Sequence, residues 1–130
     1  MGIESAAPLP GRRPRILLVD DDTLLLRAVV RIMSILGPQV VPAPGGAEAL
    51  ETLARDRDFD LVIFDMDMPP LHGPEFMRLA LAQHAELRGR LVLATGRVDE
   101  FAQSVAAEGG CRVVEKPYSP EKIEALLSAR

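Results

Sequence analysis

Cysteine is almost missing from this chain: Cys111 stands alone among 130 residues. It has no partner for an internal disulfide, which fits a reducing compartment, and a free thiol ordinarily packs as a small hydrophobe. Long apolar runs are missing too. None approaches the ~20 residues of a membrane span, and the N-terminus has no apolar core of a secretion signal. Clustered basic residues are scarce, with 15 Lys and Arg against 19 Asp and Glu and a formal net charge of −4. Arg12, Arg13 and Arg15 sit at the N-terminal end, so the remainder is more acidic still. A surface that displaces counterions from nucleic acid needs the opposite balance. Together these absences predict a cytoplasmic domain that binds neither nucleic acid nor membrane. Repeats and low-complexity segments are also lacking. With 48% apolar residues the chain is ordinary for a globular domain, and its length suits one domain.

Periodicity and chain breakers set the organisation. Met1–Pro14 carries three prolines and no apolar period, so a loose tail is expected there, with the folded domain over 15–130. Ile16–Val19, Leu61–Phe64 and Leu91–Ala94 are uninterrupted apolar runs of the length of a strand buried on both faces. Shorter strands are expected near Gln39–Val41 and over Arg112–Val114. Between them lie helical patterns. One opens at Asp22-Thr23 and stops at Gly37-Pro38, and a second covers Ala47–Arg55 after a Pro42–Gly46 turn. A third runs from Pro74 to about Ala85, a fourth over Asp99–Glu108 and a fifth from Pro120 onward. Five strands alternating with five helices imply a parallel sheet between helical layers, with right-handed crossovers.

Each long apolar run ends on a polar group: Asp20-Asp21, Asp65 and Thr95, with Glu115-Lys116 closing the fifth strand. In an open parallel sheet these ends share one rim, which is where such folds bind ligands. Three carboxylates crowded there repel one another unless one keeps a proton or a cation intervenes. A hard divalent ion such as Mg²⁺ suits oxygen ligands and uses few protein carboxylates, leaving room for a phosphoryl oxygen. Asp20 and Asp21 can supply direct or water-mediated ligands, while Asp65 can serve as ligand and nucleophile. Lys116 and the Thr95 hydroxyl can offset charge on a transferred phosphoryl group. Asp22, third in the run, reads as a helix cap rather than a ligand.

The segments Ile16-Leu-Leu-Val-Asp-Asp-Asp22, Asp60-Leu-Val-Ile-Phe-Asp65, Met68-Pro-Pro-Leu-His-Gly73, Leu91-Val-Leu-Ala-Thr-Gly96 and Val114-Glu-Lys-Pro117 occur in this order. Together they resemble the response-regulator receiver domain of two-component signalling. The resemblance implies a flavodoxin-like, doubly wound α/β fold, with a five-stranded parallel sheet of order 2-1-3-4-5 and five flanking helices. It further implies that Asp65 is the phosphoacceptor, Thr95 the switch hydroxyl and Lys116 the phosphate-pairing lysine. Mg²⁺ would be held by Asp20, Asp21, Asp65 and the backbone carbonyl of Asp67. The implied donor is a histidine kinase or histidine phosphotransfer protein, the implied reactions are self-phosphorylation and slow autodephosphorylation, and a cis Lys116-Pro117 bond is expected. Cognate kinase, output partner and whether the domain stands alone or belongs to a longer protein stay open.

Departures from the family pattern shape the remaining expectations. Val113 stands where the family often has a Tyr or Phe whose ring rotates with the switch hydroxyl, so output is expected to rely on Thr95 and the loop from Gly96 into the next helix. Gly96, where alanine is frequent, adds backbone freedom to that loop. Asp67 and Arg97, each two residues beyond a site residue, are expected to pair across the phosphoryl entrance and modulate access of water. His72 and His84 read as surface residues. Two rival functions remain: an interaction module of the same fold that is not phosphorylated, and a haloacid-dehalogenase-type phosphatase using Asp65-Met-Asp67 as its Asp-x-Asp motif.

Overall fold

The computed structural model describes residues 13–129. Most of the predicted Met1–Pro14 tail therefore lies outside the described residues. The elements are β1 (Arg15–Val19), α1 (Thr23–Leu36), β2 (Gln39–Ala43), α2 (Gly46–Arg55), β3 (Leu61–Asp65), α3 (Gly73–Gln83), β4 (Leu91–Thr95), α4 (Glu100–Gly109), β5 (Arg112–Glu115) and α5 (Pro120–Ser128). All strand pairs are parallel, and the sheet order is β2-β1-β3-β4-β5, the expected doubly wound arrangement.

Strand alternation divides the interior into two layers. Leu17, Val19, Val62, Phe64, Leu91 and Leu93 face α2, α3 and α4, where they meet Leu53, Phe76, Met77 and Val105. Ile16, Leu18, Leu61, Ile63, Val92 and Val114 face α1 and α5, packing on Leu26, Val29, Met33, Ile123 and Leu127. Burial on both sides is why the central strands read as continuous apolar runs rather than alternating ones. Each large side chain withdrawn from water contributes roughly 1.5–3 kcal/mol.

Helix ends follow local chemistry. Asp22 caps α1, its carboxylate accepting from the Leu25 N–H at 3.1 Å, the role expected for it. Asp99 caps α4 and Ser119 caps α5 in the same way. Gly37 ends α1 at φ 126°, a backbone region that favours glycine. Two boundaries differ from expectation by more than one residue. β2 continues through Pro42 to Ala43, because β2 is an edge strand and a missing N–H costs nothing on its open side. The third helix stops at Gln83, and a single 3₁₀ turn over Ala85–Leu87 swings Leu87 into the core.

Gly73 opens α3 against the end of β3. Its N–H donates to the Met66 carbonyl at 3.0 Å, and a Cβ there would lie 2.5 Å from the Asp65 carbonyl oxygen and 2.9 Å from Met66 Cα. Backbone cannot yield as a flexible side chain does, so Gly73→Ala is expected to lower stability by about 1–3 kcal/mol in urea unfolding. Gly96→Ala, with nothing within 4 Å of its Cβ position, should stay within about 0.5 kcal/mol of the parent.

Candidate functional site

Register gathers the polar strand ends. Val19 pairs with Phe64 and Asp65 with Ala94, while Thr95 pairs with Glu115. The residues that follow extend the ladder: Asp20 N–H donates to the Ala43 carbonyl at 3.1 Å and Lys116 N–H to the Thr95 carbonyl at 2.8 Å. Strand parity then sorts the side chains. Asp20, Asp65 and Lys116 continue the rows of Leu18, Ile63 and Val114 toward α1 and α5. Thr95 continues the row of Leu93 toward α3 and α4.

Asp20 is fully buried, at 0% exposure, and Asp65 is 7% exposed. Carboxylate oxygens of Asp20, Asp21 and Asp65 lie within 4.8 Å of one another, with Asp21 on the exposed side. Lys116 Nζ bridges the two buried acids, 3.0 Å from Asp20 Oδ2 and 3.5 Å from Asp65 Oδ1. Asp20 Oδ1 accepts from the Asp22 N–H at 3.0 Å, and its Oδ2 also receives the Tyr118 hydroxyl at 3.4 Å. The Lys116–Pro117 bond is cis, as expected, and so is Pro69–Pro70.

Electrostatics matches the crowding anticipated from sequence. Burial, then the charge of Asp20, push the Asp65 carboxyl up to about 6 despite the pull of Lys116. Burial acts to lower the Lys116 ammonium, but Asp20 and Asp65 outweigh it and hold it above its ordinary value. Burial and the two carboxylates raise the Tyr118 phenol well beyond its usual range, so it stays protonated. The donor set of the rim consists of hard oxygens with one adjacent ammonium, which fits Mg²⁺. The Asp67 carbonyl accepts no hydrogen bond from the described residues.

Thr95, 7% exposed, is turned toward its own loop. Its hydroxyl donates to the Arg97 carbonyl at 3.0 Å and accepts from the Arg97 N–H at 3.2 Å. The expected Asp67–Arg97 ion pair does not form. Asp67 Oδ1 instead meets His72 Nδ1 at 3.0 Å, because the bond from Gly73 N–H to the Met66 carbonyl folds the β3–α3 loop back over itself. His72 is therefore a surface residue with a partner, while His84 is half-buried. Sequence reasoning passed over Tyr118 as well; its only signal was its place two residues past Lys116. Cys111 packs beside Met77, and burial raises its thiol to about 11, which keeps it unreactive. Val113 is partly buried and packs against the α3–α4 layer.

A doubly wound sheet with an acidic, lysine-bridged rim defines a class of α/β domains that act at the strand ends. Within it, the response regulator receiver domain profile matches residues 16–128, and the chain belongs to that family. It is 35% identical over 115 residues to the response regulator MprA of Mycobacterium leprae, covering 88% of this chain and 50% of that protein. To the sensor kinase CckA of Brucella abortus it is 28% identical over 127 residues, covering 96% of this chain and 13% of the kinase. Among solved structures, the chemotaxis protein CheY4 of Vibrio cholerae superposes with a TM-score of 0.81 at 25% identity, covering 91% and 98% of the two chains. A structure titled adenylate cyclase from Rhodopirellula baltica gives a TM-score of 0.77 at 31% identity, covering 91% and 87%. The chain spans about half the length of the curated regulators it matches. It is thus a receiver domain of two-component signalling, and the haloacid-dehalogenase reading is set aside: the Asp-x-Asp segment starts at the end of β3, with the acidic pair directly after β1. No helix among the described residues is long and apolar enough to cross a membrane.

The raised Asp65 carboxyl has a definite sign for stability. Above about pH 6 the group is charged both folded and unfolded, and its confinement costs the fold about 3 kcal/mol; that cost disappears as pH falls toward 4. Without divalent cations, Asp65→Asn should therefore be more stable than the parent by about 2–3 kcal/mol at pH 8. Urea titrations across the range should show the gap closing near pH 4.

Proposed function

We propose that Asp65 accepts a phosphoryl group from a phosphohistidine of a histidine kinase or phosphotransfer protein, in a Mg²⁺-dependent reaction, and that the domain acts in the cytoplasm. The observation that carries this reading is the buried Asp65 carboxylate, 3.5 Å from Lys116 Nζ at the rim of the three-carboxylate cluster. A carboxylate oxygen of Asp65 attacks phosphorus in line, the O–P bond forms, and the N–P bond of the donor breaks with its electrons returning to the imidazole. Asp65 must be ionised to attack, which its carboxyl at about 6 permits at neutral pH. Asp20, Asp21, Asp65 and the Asp67 carbonyl would hold Mg²⁺, which supplies positive charge against the carboxylates and the phosphoryl oxygens. Slow hydrolysis returns Asp65 to a free carboxylate. Asp67, tied to His72, and Arg97 flank the entrance that the attacking water uses.

Signalling out of the site runs through Lys116 and Thr95. Lys116 turns from Asp20 toward the new phosphoryl oxygens. Thr95 gives up its two bonds with Arg97 for a bond to the phosphoryl group, which frees the loop leading into α4. A shift there, at a packed surface without an aromatic ring at Val113, is what an output partner reads.

Incubation with acetyl phosphate or a phosphorylated kinase should load one phosphoryl group per chain, and none in Asp65→Asn. A wild type that takes none is the interaction module instead, and many turnovers on a generic phosphate ester would make it a phosphatase. Amide shifts across Thr95–Glu108 should change on phosphorylation and do so far less in Thr95→Ala; identical spectra in the two states of the parent would end the proposed relay.

A further inference from the structure

Asp20 anchors the site through both of its oxygens, and one of them has two side-chain donors. Oδ1 is held by the Asp22 N–H. Oδ2 receives Lys116 at 3.0 Å and the Tyr118 hydroxyl at 3.4 Å. The Tyr118 ring lies 5.8 Å from Lys116 Nζ and packs on the α1–α5 core layer. The phenol is thus fixed by packing while the lysine, on a flexible stem, spans two carboxylates.

We propose that Tyr118 is a positioning residue whose hydroxyl holds Asp20 while Lys116 is drawn away to the phosphoryl group on Asp65. This rests on Asp65 being the acceptor. The transfer of Lys116 strips the buried Asp20 Oδ2 of its ammonium and leaves the Tyr118 hydroxyl as the one side-chain donor on that oxygen among the described residues. Tyr118 is already within reach of that oxygen, and closing a few tenths of an ångström replaces the lost bond without moving the ring out of its layer. Before phosphorylation Oδ2 also has the closer Lys116 donor, so the hydroxyl matters most in the switched state. A purely structural tyrosine would matter equally in both.

The test compares the full chain with Tyr118→Phe, which keeps the ring and removes the oxygen, and with Tyr118→Leu, which also removes the packing. Calorimetry measures Mg²⁺ binding alone, then beryllofluoride binding, as a phosphoryl mimic, at saturating Mg²⁺. Tyr118→Phe should keep the parent's urea midpoint and Mg²⁺ affinity but bind beryllofluoride about fivefold more weakly. Tyr118→Leu should lose stability besides. Because Tyr118 is the chain's only tyrosine and there is no tryptophan, its emission in the parent should fall when beryllofluoride binds and the bond to Asp20 shortens. A Phe variant that binds beryllofluoride as the parent does overturns the proposal, as does one weakened equally for Mg²⁺ alone. A parent that binds no beryllofluoride overturns the acceptor reading and this proposal with it, so the two failures are distinguishable.

Discussion

Two carboxylates held out of water within reach of one ammonium are the constraint on which the rest of this domain depends. Asp20 and Asp65 sit at the ends of adjacent strands with little solvent to screen them, and among the described residues Lys116 alone bridges them. In a low-dielectric site such a cluster is never neutral about its contents. It raises the Asp65 carboxyl and favours any added positive charge. The repulsion among the carboxylates and the attraction of the rim for a cation are one electrostatic fact.

The scaffold tolerates this cluster because the two core layers beneath it are apolar and filled. Strand parity matters as much as strand order. It directs the acids and the lysine toward α1 and α5, and Thr95 toward the opposite layer, so that the site has one charged half and one half wired to the loop before α4. Val113 fills its place in the α3–α4 layer as aliphatic packing, and the Thr95 hydroxyl is bonded to Arg97 in the loop before α4.

Close approaches complete the arrangement. Gly73 lets α3 begin against the backbone of Asp65 and Met66, and the same short loop returns His72 to Asp67. Sequence spacing had paired Asp67 with Arg97 instead. Positions at matching offsets from two strand ends are neighbours only if both loops run straight, and the β3–α3 loop folds back on itself. Tyr118 escaped notice for a related reason: nothing in its local pattern distinguishes a tyrosine that packs from one whose hydroxyl reaches a carboxylate.

The amino-acid sequence by itself determined the elements, the layers and the rim. Apolar runs of strand length, their polar last residues, Asp22 as a cap and the order of five motifs are all one-dimensional patterns, enforced by backbone periodicity and burial within a few residues. Even the repulsion among the carboxylates was foreseeable from their crowding at one edge. Only the tertiary structure decided which side chains share a proton-holding environment and which share a hydrogen bond. Lys116 meets Asp20 across 96 positions of sequence, and Tyr118 meets it across 98. Such contacts depend on sheet register, on the face each side chain takes and on loop paths, and distances of 3 to 4 Å are set by all of these at once.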